Sequence, residues 1–415
     1  MAEAKRIAVV GAGLGGLNAA IALQQRGFEV TVYEQSAELG EIGAGIQLSP
    51  NAMQVLIALG LAADFEAIAF EPNRHVVRSW KSGRVISATQ MTGVFRPQYG
   101  AGYFGAHRAD FHSVLARALP PGCIALNKKC TGVMQFPDRA VLAFADGSEA
   151  ESDVVVAADG IHSAVRTALF GPDRPRFTGH ICWRGLVPTS ALRKGLIEPD
   201  MTAWFGPRST VVHYYVRRGE MVNWIAHHMA DWRQESWRLE TDWREAAAAY
   251  KDWDPRLTEL FSHTQRCYKW ALHDRDPLPR WSEGRVTLLG DAAHPMLPYV
   301  AQGAAMAIED GYVLADCLHG SRGDPQAALK TYEMLRLPRT ARVQLTARSR
   351  GEINNMTSRL GRFRRDLGYR LKRLIRPKEH TYKIEWIYGH DVTAGRSGAV
   401  GDAMQRTAGP RLDQK

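Results

Sequence analysis

The stretch Gly11-Ala12-Gly13-Leu14-Gly15-Gly16 follows an apolar run, Arg6 to Val10, and leads into a helical pattern through about Gln25. A second apolar run, Glu29 to Tyr33, ends at Glu34, which lies 18 residues beyond Gly16. Strand, glycine turn, helix and strand-end acid is the order that holds a dinucleotide. Gly11 permits the tight turn, Gly13 lets a pyrophosphate approach the backbone, and Gly16 lets the helix pack on the strand. Amides from Leu14 onward start the helix and draw phosphate charge; Glu34, with Gln35 beside it, suits a ribose. Two further acid–glycine pairs stand at strand ends, Asp159-Gly160 after Val154-Val155-Val156 and Gly290-Asp291 after residues 286–289. Each suits polar contact with a sugar-alcohol or phosphate chain. A nicotinamide dinucleotide has no ribityl chain, so the three motifs together point to a flavin dinucleotide.

Periodicity supplies the elements that position these residues. The loop 39–47 carries Gly40, Gly43 and Gly45, and Ser49 as N-cap with Pro50 at the first helical position opens a helix to about Leu59. Residues 75–88 read as paired strands, and His107-Arg108-Ala109-Asp110 opens a helix through Leu119. Asp146-Gly147 reads as a hairpin turn joining residues 141–144 to Val154-Val155-Val156. Tryptophans, Trp237 among them, cluster over 177–268; there the alternation of 211–216, answered by 221–227, gives an antiparallel sheet. Helices follow over 302–318 and about 325–350, then a basic helical segment and a glycine-bearing tail after Thr393. The fold class is α/β: a Rossmann-like dinucleotide domain interleaved with a mostly antiparallel β-sheet substrate domain, plus C-terminal helices. Expected bounds are 1–174, with a strand excursion near 75–104 into the sheet domain; 175–277 for that domain; 278–345 for the return; and 346–415 for the C-terminal segment.

Composition excludes several classes. With 415 residues, 45% hydrophobic and 23% charged, the chain carries core for two or three domains rather than disorder. Five scattered cysteines, never as Cys-x-x-Cys, indicate neither a disulfide framework nor a zinc site and fit a reducing cytoplasm. His294 beside Asp291 lacks a second ligand at metal-binding spacing, so no metal is expected. No apolar run of about 20 residues or cleavable signal is found, so no membrane span is expected. The net charge of +10 is concentrated between Arg348 and Lys378, including Arg373 and Arg376. This run reads as a solvated helix face, with a nucleic-acid patch as the rarer alternative.

Taken together, Gly11 to Gly16 with Glu34, Ala158-Asp159-Gly160, and Gly290-Asp291-Ala292-Ala293-His294-Pro295 resemble the three fingerprints of the single-component FAD-dependent aromatic hydroxylases, the p-hydroxybenzoate hydroxylase class, over roughly residues 5 to 345. The loop from Gly43 to Asn51, His107 to Asp110, and Met296 to Asp310 are most similar to the branch of salicylate hydroxylase, 3-hydroxybenzoate 6-hydroxylase and 6-hydroxynicotinate 3-monooxygenase. The resemblance implies FAD as tightly bound cofactor and NADH or NADPH as transient reductant. It also implies hydroxylation of a small phenolic or N-heteroaromatic acid by O2 through a flavin C4a-hydroperoxide. It assigns Glu34 to the adenosine ribose, Arg108 and Asp291 to the ribityl-pyrophosphate, the Cys130 backbone to adenine, and Asp159 to pyrophosphate and nicotinamide. Gly303 and Ala304 would face the flavin pyrimidine edge, where a helix N-terminus favours the anionic reduced ring. Gln47 stands at the loop position beside the flavin and counts among both cofactor and catalytic residues. Gln47 and Tyr299 each replace a histidine of the 6-hydroxynicotinate enzymes, which argues against that substrate.

For the substrate side, alternation puts Val211, His213 and Tyr215 on one strand face and Val212 and Tyr214 on the other. If the first face meets the flavin, His213 is the general base and Tyr215 an orienting hydroxyl; otherwise His213 is a core histidine within a tryptophan-rich sheet. Pro295 borders the substrate. Arg184 either meets a substrate carboxylate or, more commonly for a strand-end arginine, pairs with acids of the protein. Rival readings are a flavin monooxygenase acting on a larger substrate such as an antibiotic or quinolone, and a flavin-carrying regulator that binds nucleic acid. A homodimer is compatible with the basic C-terminal helices.

Overall fold

The computed structural model describes residues 5–40, 43–234, 236, 238–375 and 382–394; Trp237, Arg376, Lys378 and the tail beyond Ala394 lie outside the described residues. One sheet has six strands in the order Ser282–Glu283, Val286–Leu288, Val154–Ala157, Arg6–Val10, Glu29–Tyr33, Ile124–Ala125. All its pairings are parallel except the edge pair Ser282–Glu283 with Val286–Leu288. Its inner strands are apolar runs because both faces are covered. Parallel strands end at one edge, so Gly11, Glu34, Asp159 and Asp291 are delivered to the same side.

The second large sheet has eight strands, in the order Glu240–Thr241, Cys267–Asp274, Arg176–Pro188, Met221–Met229, Ser209–Val216, Met201–Gly206, Arg74–Ser79, Val85–Gln90. Met201–Gly206 pairs parallel with Arg74–Ser79, so both large sheets are mixed, which amends the expected mostly antiparallel architecture. The parallel pair arises because Arg74–Ser79 enters from a distant part of the chain rather than through a hairpin. Asp146-Gly147 turns the chain from Ala140–Phe144 into Glu149–Ser152, a strand that the alternation had not separated. Val154–Ala157 belongs instead to the parallel sheet, so the expected hairpin partner is corrected.

Two helices hold the six-stranded sheet. Leu14–Gln25 packs against Gly303–Gly320 through small residues. A Cβ on Gly15 would stand 2.9 Å from the Ala307 Cβ, and one on Gly311 would stand 2.9 Å from Ala19 backbone. The Asn18 amide donates to the Ile308 carbonyl at 3.0 Å and fixes the crossing. Pro325–Asn354 then runs from this layer to the eight-stranded sheet, where Arg348 bonds Asp274, and Arg359–Ile375 packs against the edge strand Val85–Gln90.

Candidate active site

The glycine turn has the stereochemistry its sequence demands. Gly11 has φ +99°, and a Cβ there would lie 2.5 Å from the Ala158 carbonyl oxygen; a Cβ on Gly16 would lie 2.0 Å from the Gly11 oxygen. Gly13 differs, because nothing lies within 4 Å of its hypothetical Cβ. Its open side and the uncapped start of the Leu14–Gln25 helix leave backbone N–H groups free for a pyrophosphate. The Leu14 side chain is buried in the core, so only its backbone is available. Glu34 accepts from the Ala12 N–H at 2.8 Å and the Ser36 N–H at 2.9 Å, one bond per oxygen. Each oxygen keeps a lone pair for a ribose diol. Gln35, beside it, is exposed.

Across the cleft, Asp159 accepts the Val165 N–H at 3.3 Å through Oδ2, while its buried Oδ1 has no partner among the described residues. Burial raises its carboxyl against the pull of Ser163 and nearby backbone amides. Asp291 reaches solvent, yet the crowding around it is enough to raise its carboxyl, opposed by His294 and Arg108. Cys130 is buried, its thiol pushed up to about 11 by desolvation, so its backbone rather than a thiolate is what it can offer. The open glycine face, half-used Glu34, orphaned Asp159 oxygen and recessed Asp291 fit the pyrophosphate and polyol of FAD.

Gly303 and Ala304 begin the helix Gly303–Gly320, which has no side-chain cap and no acidic residue in its first turn. The N-cap residue Gln302 is turned inward. Its amide donates to Ser49 Oγ at 2.9 Å and accepts from Asn51 at 3.1 Å. Ser49 occupies the N-cap position ahead of Pro50 as expected, but its hydroxyl donates to Asn51 rather than capping its own helix. Asn51 also donates to Glu309 at 2.6 Å. Beneath it, Arg336 bonds Glu309 at 2.6 Å and Asp310 at 2.7 Å. Arg339 bonds Glu309 at 2.7 Å, and His294 meets Asp310 at 2.5 Å. His294 is thus a partner of Asp310. This network pins the helix start while leaving its first N–H groups bare, which stabilises negative charge placed before it.

Beside that helix start lies a small cavity of about 60 Å³. Its walls are Gln47, the segment Pro298 to Ala301, the strand residues Met201, Ala203, Phe205, Thr210, Val212 and His227, and the C-terminal Tyr382, Ile384 and Tyr388. Gln47 accepts the Tyr103 hydroxyl at 2.7 Å. The alternation of 211–216 holds, but the face expected to meet the flavin is the opposite one. Val212 lines the cavity, whereas Val211 and Tyr215 pack in a second core with Trp204, Trp224 and Phe261 on the far side of the sheet. His213 lies there too, its ring 6.3 Å from that of Trp204, and burial depresses it to about 3. Tyr215 donates its hydroxyl to the Ile197 carbonyl at 3.0 Å. The general-base and orienting roles for these two residues are therefore corrected: a sheet lies between them and the cavity. Pro295 is buried with its carbonyl accepting from Gln344 at 3.0 Å; Pro298 takes the place at the cavity wall. Arg184 stacks over Tyr268 and Trp270, at 5.4 and 5.1 Å.

His227 is the cavity residue that sequence reasoning passed over. It sits opposite Thr210 across neighbouring strands, and following the alternation of 221–227 together with that register would have found it.

An α/β flavoprotein with one dinucleotide cradle and an aromatic-walled cavity at the uncapped helix is the arrangement of a flavin-dependent aromatic monooxygenase. A family model described as FAD binding domain matches residues 4–347. A 3-amino-4-hydroxybenzoate 2-monooxygenase of Streptomyces platensis is 41% identical, over 93% of this chain and 96% of its own length. A 6-hydroxynicotinate 3-monooxygenase of Pseudomonas fluorescens is 37% identical, over 83% of this chain and 90% of its own. The crystal structure of Klebsiella pneumoniae HpxO complexed with FAD and uric acid superposes with a TM-score of 0.82 at 27% identity, covering 95% of this chain and 98% of that one. The chain belongs to the FAD-dependent aromatic hydroxylases. FAD is its cofactor; when bound, the flavin takes reducing equivalents from NAD(P)H and supplies activated oxygen to the substrate ring.

Proposed function

We propose that this monooxygenase hydroxylates a single-ring phenolic acid of the 3-amino-4-hydroxybenzoate type. The observation that carries this reading is the cavity wall: aromatic and aliphatic side chains interspersed with His75, Tyr103, Thr210, His227, Tyr299 and Asn354, and no arginine or lysine among the described lining residues. Such a wall sandwiches one flat ring and meets its hydroxyl, amino and carboxylate groups with neutral hydrogen-bonding partners. The relative at 41% identity is named for such a substrate. Gln47 and Tyr299, where 6-hydroxynicotinate enzymes carry histidine, speak against that heteroaromatic acid. Tyr382, Ile384 and Tyr388 close the C-terminal side, which disfavours a quinolone or antibiotic.

In this reading Gly11, Gly13, Gly16, the Leu14 amide and Glu34 hold the adenosine and pyrophosphate, with Gln35 at the rim and the Cys130 backbone at the adenine. Arg108, Asp159 and Asp291 hold the polyol, Gly303 and Ala304 give amides to the pyrimidine edge, and Gln47 faces the substrate. Residues 1–174, apart from the strands near 75–104, and 278–345 act as the FAD-binding domain, 175–277 with those strands as the substrate domain, and 346–415 as the basic C-terminal segment. The test is NADH and NADPH oxidation by the purified yellow protein across a panel of benzoates, with isotopically labelled O2. Stimulated oxidation with one labelled oxygen in a phenolic acid supports the reading; turnover of non-phenolic or multi-ring compounds alone refutes it.

The helix Arg359–Ile375 exposes Leu360, Phe363, Leu367, Leu371 and Leu374 as a stripe. A second copy of this chain is the occupant we propose, giving a homodimer. Among the described residues no helix is long and apolar enough to cross a membrane. Five buried free cysteines support a cytoplasmic location. Part of the basic run is used internally: Arg348 pairs with Asp274 and Asp276, and Arg365 donates to the Ile353 and Asn354 carbonyls. That supports the solvated-face reading over nucleic-acid binding.

A further inference from the structure

A polar ring buried without a hydrogen-bond partner is unfavourable unless a ligand supplies the bond. Two histidines of the eight-stranded sheet are in that position: neither nitrogen of His213 or of His227 has a hydrogen-bond partner among the described residues. Both are 3% exposed. They differ in what they face. His213 looks into the tryptophan core, but His227 lines the substrate cavity. Its ring centroid is 5.0 Å from that of Tyr299, whose buried hydroxyl has no partner in full hydrogen-bond geometry, although Asn355 lies near enough to pull its pKa down against burial. Thr210, the cross-strand neighbour of His227, already donates to Asn355 at 2.9 Å. On this wall the two nitrogens of His227, the Tyr299 hydroxyl and the Asn354 Oδ1 are without a hydrogen-bond partner among the described residues, and of these the His227 and Tyr299 rings lie side by side.

We propose that His227 is the specificity-determining receptor for the substrate's ring hydroxyl: a nitrogen of its neutral imidazole accepts the phenolic O–H, while Tyr299 donates to the same oxygen. This assignment rests on the phenolic-acid reading of the cavity. Burial, with His180 adding to it, holds His227 near 3, so the ring is uncharged across the working range and one nitrogen is always an acceptor. Accepting the O–H shifts electron density into the ring and orients the carbon next to the hydroxyl.

The experiment measures dissociation constants on the FAD-loaded enzyme from the flavin absorbance change, using 3-amino-4-hydroxybenzoate and 3-aminobenzoate, which lacks the hydroxyl. For His227→Leu the phenolic acid should weaken about 10- to 100-fold while 3-aminobenzoate changes less than about threefold. His227→Gln, which keeps an acceptor, should recover part of the loss and serves as the reporter if the leucine variant fails to fold. Equal loss for both ligands, or none for either, overturns the assignment to His227 while leaving the phenolic-acid reading intact. Failure of the unaltered enzyme to bind any phenolic acid overturns that reading and the assignment together.

Discussion

Replacing Arg336 by methionine tests how the cofactor-side helix is held. Arg336 is 1% exposed and bonds two carboxylates that are both 0% exposed. Burial pushes Glu309 and Asp310 upward, but Arg336 with Arg339 for the first, and His294 with Arg336 for the second, outweigh it and bring both below the ordinary range. Removing one partner of a buried charge cluster costs about 3–5 kcal/mol, since methionine fills the space but leaves charge unmatched. At the entropy of unfolding typical for a chain this long, that is a Tm loss of roughly 4–6 °C near pH 7.5. The pH dependence gives a sharper signature. Carboxyls depressed in the folded state contribute stability that is present above their unfolded values and lost as pH falls through their folded ones. Without Arg336 the desolvation of Glu309 and Asp310 is less opposed, so their folded-state values rise and protonation removes the penalty sooner. The Tm gap between the two proteins should therefore narrow as pH falls from 7.5 toward 5. Because Asn51 and Gln302 hang on Glu309, flavin release followed by fluorescence should come at lower temperature in the variant. An unchanged Tm, or a gap that does not vary with pH, would refute the reasoning.

Gly13→Ala should fold with the parental apo-protein Tm, because its Cβ enters open space, yet bind FAD at least about tenfold more weakly; Gly16→Ala should lower both, since its Cβ would stand 2.0 Å from a carbonyl. Calorimetry on the apo-proteins and flavin titration separate the two. His213→Leu should leave the ratio of hydroxylation to peroxide release unchanged and hold or raise Tm by about 1–3 °C, because it removes an unpaired buried imidazole on the opposite face of the sheet from the cavity; a fall in coupling would restore His213 to the reaction. Leu367→Glu with Leu371→Glu should halve the mass measured by light scattering if the exposed stripe joins two copies, and leave NADH oxidation rates within about twofold.

The cofactor half of the site was legible because parallel strands leave little freedom. Once Arg6–Val10, Val154–Ala157 and Val286–Leu288 lie in one sheet, the residues after each must meet at one edge. Gly11, Asp159 and Asp291 could therefore be brought together from sequence. Glycine spacing also carries stereochemistry: Gly11 and Gly16 tolerate no Cβ, and Gly13 faces open space. Long-range pairing was not legible. Nothing local says that Met201–Gly206 takes Arg74–Ser79 as a parallel neighbour, or that Tyr382 and Tyr388 return to close a cavity.

The substrate half shows where a period-two pattern stops informing. Alternation divides a strand into two faces but does not name the layer each face meets, and here both faces are buried. The face with His213 and Tyr215 carried the more reactive side chains, and chemistry alone favoured it. Packing decides otherwise. Helices Trp243–Ala249 and Pro255–Ser262 cover that face with Ala246, Leu257, Leu260 and Phe261, leaving the face of Thr210, Val212 and His227 toward the cavity. The covering helices follow the strands in sequence, and Pro255–Ser262 is amphipathic, with buried Leu257, Leu260 and Phe261 on one side. An apolar helix face needs a sheet face to cover, and the nearest in sequence is that of Val211 and His213. Reading that helix before choosing the strand face would have moved the histidine of interest from 213 to 227.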